Sequence, residues 1–223
     1  MAPLDSLVKQ HVAPVMKAAG FKRSGRTFRL IADNGDQAVL GFSRHYVDPD
    51  ACVFEVGYDI VPAPYWEWIN RHAASDDRRG PVAFSAAAMV SGRAVPPPHA
   101  AHAPGSEDSY FRAHWALRED NSLTCGEALA AVLRDEVVPQ MVHLLDRSRL
   151  LEECRQPALP VMRLVPLARV EILLRLDAAP SGEIESLLAD VVPAAPYDTF
   201  IDWVRQRVAA RSEAAGQRSG TTP

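Results

Sequence analysis

Six polar residues are spaced so that they could share one surface. Ser43 and His45 lie in the run 37–46, Glu55 and Asp59 in the run 52–60, and Arg112 and His114 in the run 110–117. In an extended strand, successive side chains point to opposite faces. If the three runs pair, His45, Glu55, Asp59, Arg112 and His114 fall on the face opposite Phe54, Val56 and Tyr58. Carboxylates beside imidazole and guanidinium groups can bind a polar ligand or exchange protons. The competing expectation, and the favoured one, is cross-strand charge pairing on a wet face, worth about 0.2–1 kcal/mol per pair. Antiparallel sheets often leave one face in water.

Other candidates dissolve on chemical grounds. His99-x-x-His102, with Glu107 and Asp108 behind it, offers metal-ligand types, but in a Pro/Ala loop without a zinc-type spacing. No metal and no cofactor is expected. Cys52 has the apolar parity of its strand and reads as core, whereas Cys125 falls in the first turn of a helix, where the dipole could lower its pKa. The chain has no Gly-x-Ser-x-Gly elbow, no Walker-type loop and no His-Glu-x-x-His. Lys22, Arg23, Arg26 and Arg29 form a basic cluster, read as a solvated hairpin. Tyr65, Trp66 and Trp68 could mark a partner surface, although tryptophan is more often buried.

The elements that would position these groups follow from periodicity. Residues 4–19 carry apolar side chains at three- and four-residue steps and predict a helix, kinked or started late by Pro14. Residues 27–61 predict a three-stranded meander with turns at 33–36 and 48–50. A short helix follows Pro64, and 71–108 reads mainly as loop, with room for a short strand at 82–84 or 89–95. Then come the strand 110–117, a long helix announced by a capping box at Thr124 and Glu127 and kinked near Pro139, and a short helix from Ser148. Residues 166–211 read as helical, with Asp198 capping the last helix, and 212–223 as a disordered tail.

Gly20-Phe21-Lys22-Arg23, Gly25-x-Thr27-Phe28, the alternating Val53-Phe54-Glu55-Val56-Gly57-Tyr58, and the helical run from Val138-Pro139-Gln140-Met141 to Leu151 resemble an uncharacterised bacterial family, domain of unknown function 4304. The resemblance spans roughly residues 4–155. It implies a fold and no reaction. The segment is also intelligible physically: Gly20 ends a helix, Phe21 tucks under a sheet, and Gly25 permits a turn conformation that side chains with a Cβ resist.

The fold class expected is α+β: a mainly antiparallel four-stranded sheet, a meander plus a later strand, with an N-terminal helix and a long helix packed on one face. A helical extension over 159–211 would pack on this 4–155 domain. With 48% hydrophobic and 23% charged residues among 223, the chain can bury a core. A net charge of −4 argues against nonspecific binding to nucleic acid. No run is long and apolar enough for a membrane span, early charges argue against a secretory leader, and three separated cysteines suit a reducing compartment. The expectation is a bacterial cytoplasmic protein. Its leading functional reading is a non-enzymatic protein-binding or regulatory protein, motivated by the missing catalytic motifs. The alternative is a small-molecule binder or acid–base enzyme using the polar sheet face. The sequence sets no oligomeric state.

Overall fold

The computed structural model describes residues 3–46, 48–72, 80–84, 87–104, 112–193 and 198–219, with side chains as far as 214. Glu107, Asp108 and the expected start of the strand at 110 lie outside the described residues, as does the end of the tail.

Among the described residues, seven strands form one antiparallel sheet. They are β1 (Lys22–Ser24), β2 (Thr27–Ile31), β3 (Gln37–His45), β4 (Cys52–Val61), β5 (Val90–Arg93), β6 (His114–Leu117) and β7 (Val161–Arg163). The four strands expected are β2, β3, β4 and β6, and the count rises because β1, β5 and β7 are added. Strands of three or four residues hold too few alternations to show a period. β4 is the axis of the sheet. β3 pairs along one edge, while the other edge is divided, β6 pairing with 52–55 and β5 with 57–60. β7 extends the sheet beyond β5.

One face carries Phe28, Leu40, Phe54, Val56, Tyr58, Ile60 and Trp115, all buried. Two long helices pack there and on each other. The first, α1, runs over 3–18 and contains a π turn at Val8–Val12, ending two residues before Pro14. The second, α3, runs over 122–144 with a π turn at Leu133–Val137, ending two residues before Pro139. Proline lacks an amide donor and its ring crowds the carbonyl four residues back, so a widened turn lets the helix pass through it. The kinks expected at both prolines take this form. The helices meet at Gly126, where a Cβ would come 2.4 Å from the His11 ring. The Tyr58 hydroxyl donates to Gln140 Oε1 at 2.7 Å, tying the sheet to α3.

The capping box expected at Thr124 and Glu127 does not form. The helix begins at Ser122, and the Thr124 hydroxyl donates to the Asn121 carbonyl. Asn121 spends its own side chain on the reversal after β6, accepting from the Arg118 N–H and donating to the Ala116 carbonyl.

The other α-helices among the described residues are α2 (Ala63–Ile69), α4 (Arg147–Arg155), α5 (Leu167–Arg175), α6 (Ser181–Leu188) and α7 (Phe200–Ser219). Asp198 accepts from the Phe200 N–H at the start of α7. The aromatic cluster of α2 faces α7: Trp68 lies edge-on to Phe200 at 5.2 Å and 5.5 Å from Trp203. Among the described residues, no helix is long and apolar enough to cross a membrane.

Candidate functional site

The strand registers fix what lies opposite the core. Ser43 pairs with Glu55, and Glu55 pairs with His114, so three neighbouring strands present one row. His45 faces Val53, one step along. Its Nε2 lies 3.3 Å from Glu55 Oε2, and His114 Nε2 lies 3.9 Å from Glu55 Oε1. The imidazoles of His45 and His114 meet edge to face with centroids 4.6 Å apart. A carboxylate is thus bracketed by two imidazoles. One ligand-type atom from each of His45, Glu55 and His114 lies within 4.8 Å of the others. Such a trio can share a proton or hold a cation.

The row is held from behind β6. His102 N–H donates to the His114 carbonyl at 2.8 Å, and Ala101 bridges to Trp115. The His102 ring sits 3.6 Å from Asp48 in the turn between β3 and β4. His99 is exposed.

Farther along, the face is covered, and the expectation of a wet surface fails there. Residues 80–84 cross it as a strap. Arg29 donates to the Pro81 carbonyl at 2.7 Å, Ala83 lies over Gly41, and Phe84 lies over Gly57. Cβ atoms on Gly41 and Gly57 would fall 2.8 and 2.7 Å from these side chains. Glycine inside both strands makes the close approach possible. Phe84 adopts φ 62°, a left-handed conformation rare for bulky residues, and its ring carries the Arg93 guanidinium at 4.6 Å.

Asp59 belongs to the strap end. It is buried, hydrogen-bonds to Ser91 and accepts from the Phe84 N–H. Burial, the largest influence, pushes its carboxyl above the usual range, partly offset by Ser91, Arg93 and Phe84. Its Oδ2 has no partner among the described residues. Arg112 is exposed and precedes β6, outside the row. Of the five candidates, His45, Glu55 and His114 come together, while Asp59 and Arg112 stand apart. Ser91, Arg93 and the strap were missed by sequence reasoning, and Gly41 opposite Gly57 was the available signal.

The other candidates are absorbed by structure. Arg26 pairs with Asp5 at 2.7 Å, Arg23 donates to the Gly25 carbonyl, and Phe21 and Phe28 are buried. Cys125 contradicts the expected lowering: burial pushes its thiol up to about 11. Large clefts of about 710, 850 and 820 Å³ lie elsewhere, and none is lined by His45, Glu55 or His114.

A family match covers part of the chain carrying this site. Residues 12–85 match the family described as domain of unknown function, DUF4304. The DUF4304 match takes in the C-terminal part of α1, the hairpin, β3, β4, α2 and the strap, and stops before β6, so His45 and Glu55 lie inside it and His114 beyond it. It is narrower than the 4–155 span of the resemblance. No curated protein and no solved structure gives a significant match.

Proposed function

We propose that this protein binds a ligand small enough to be held between three side chains, at the His45–Glu55–His114 end of the second sheet face. The supporting observation is convergence: Glu55 stands between two imidazoles supplied by the strands on either side of it, at 3.3 and 3.9 Å. A protein-docking face needs a broad surface, whereas this arrangement is compact and partly enclosed. Acid–base chemistry on the bound ligand is within reach of the same groups. A cytoplasmic location is part of the proposal, supported by three free, buried cysteines.

Thermal denaturation against a panel of small carboxylates, phosphates, amines and metal ions tests this reading. At least one compound should raise the melting temperature of the wild type and fail to raise that of His45→Ala. Because His45 is half-buried at a strand end, the variant should retain its far-UV circular dichroism. If no shift depends on His45, the ligand reading is lost. The protein-binding expectation then returns, to be pursued by nuclease-treated affinity capture.

A further inference from the structure

We propose that His45, Glu55 and His114 bind one divalent transition-metal ion of the first row, with zinc the ion of matching chemistry. This rests on the reading of the same sheet end as a ligand site and narrows the ligand to a metal ion.

Distance is the first argument. Zinc binds histidine nitrogen and carboxylate oxygen at about 2.0–2.2 Å, so neighbouring donors of a tetrahedral site lie roughly 3.3–3.5 Å apart. His45 Nε2 lies at that value from Glu55 Oε2, 3.3 Å, while His114 Nε2 lies 3.9 Å from the other oxygen, Oε1, so the carboxylate must turn, or bind through both oxygens, to bring the three residues around one ion. All three donors lie within 4.8 Å of one another.

Rigidity is the second. The ligands sit on β3, β4 and β6, two of them in direct cross-strand register. The His114 backbone is held further by the His102 N–H. Sites on strands hold their geometry better than sites on loops.

Donor chemistry is the third. Two imidazoles and a carboxylate suit zinc or iron, whereas magnesium and calcium favour oxygen throughout. Three protein ligands leave a fourth position open, the pattern of reactive rather than structural zinc sites. His114 is 1% exposed, but the side chains of His45 and Glu55 are 21% and 17% exposed, so solvent and an ion can reach the site. Size agrees as well: the trio lines none of the three clefts named above, and an ion needs no cleft.

The full chain, stripped with a chelator and dialysed, should be titrated calorimetrically with zinc chloride. One equivalent should bind with a micromolar or tighter Kd, and magnesium should not compete. His45→Ala and Glu55→Gln should each weaken zinc binding at least tenfold while the metal-free melting temperature stays close to that of the wild type. His114 is too deeply buried to serve as the test. Absence of saturable zinc uptake, or uptake equally tight in both variants, overturns the metal site. If zinc fails while another compound still gives a His45-dependent thermal shift, the metal inference falls and the ligand reading stands. If both fail, neither survives.

Discussion

Asp59 and Glu55 leave the same face of β4 four residues apart, about 13 Å along the strand, and meet opposite surroundings. Glu55 keeps solvent contact beside two imidazoles; Asp59 is sealed under the strap, with one oxygen unpartnered among the described residues. Burial raises the Asp59 carboxyl above its ordinary value of 3.8. The folded state therefore holds this proton more tightly than the unfolded chain does. Its contribution to stability is fully present below about 3.8 and is lost as pH rises through the folded value. Asp59→Asn keeps an acceptor for the Phe84 N–H and removes the ionisation. In urea unfolding, the stability of the wild type relative to Asp59→Asn should therefore be greater at pH 4 than at pH 7.5. Equal differences at the two values would show that the carboxyl is not raised. The sequence placed Asp59 on the right face through strand parity alone. Parity is silent about what covers a face, so it grouped Asp59 with Glu55 and could not separate their roles.

At the scale of elements, legibility followed length. β3 and β4 have nine and ten residues and announced themselves by alternation, as did the two long helices by their apolar stripes. β7, with three residues and no buried one, carried no pattern. The strap over the sheet was invisible for another reason: it is held by contacts to distant residues rather than by local periodicity. Arg29 fixes Pro81, Asp59 fixes the Phe84 N–H, and Gly41 and Gly57 supply the space. The paired glycines make the strap testable. A Cβ at Gly57 would meet the Phe84 ring at 2.7 Å, and a β-branched side chain would conflict more. Gly57→Val should cost about 1–3 kcal/mol by overpacking and should raise hydrogen exchange at the Phe84 amide. Gly25→Val, whose Cβ meets nothing within 4 Å but whose φ is 60°, controls for backbone strain without crowding. A loss of stability at Gly57 with the Phe84 amide still protected would mean the strap is not what the valine strikes.

Across the whole molecule, the turn at 33–36 does more than reverse the chain. Its composition read as a turn; in addition Asp36 is buried and gathers donors from α4, α2 and its own turn around one carboxylate. Arg147 at the start of α4 grips both oxygens at 2.7 and 2.8 Å, the Ala63 N–H at the start of α2 donates at 2.8 Å, and Asn34 donates from within the turn. Arg147 reaches on to Asp177, just beyond α5, and these carboxylates hold its guanidinium more firmly protonated than usual. The sheet, α2 and the C-terminal helices are thereby joined through one side chain. Trp68 packed on Phe200 makes a second junction between the same parts. Removing one partner of a buried ion pair costs about 3–5 kcal/mol where the other charge is left uncompensated; Arg147 keeps Asp177 and some solvent contact, so the cost here falls toward the lower end of that range. Asp36→Ala should lose stability on that order in chemical denaturation. Its effect should appear equally in both halves of the chain. Trp115 reports the sheet, while Trp66, Trp68 and Trp203 report the α2–α7 junction, so Trp115→Phe separates the two fluorescence signals. Coincident transitions, shifted together by Asp36→Ala, would mean that the C-terminal helices and the sheet unfold as one body around this carboxylate. If the α2–α7 signal alone moved earlier, Asp36 would be a clasp holding an independently unfolding helical layer against the sheet.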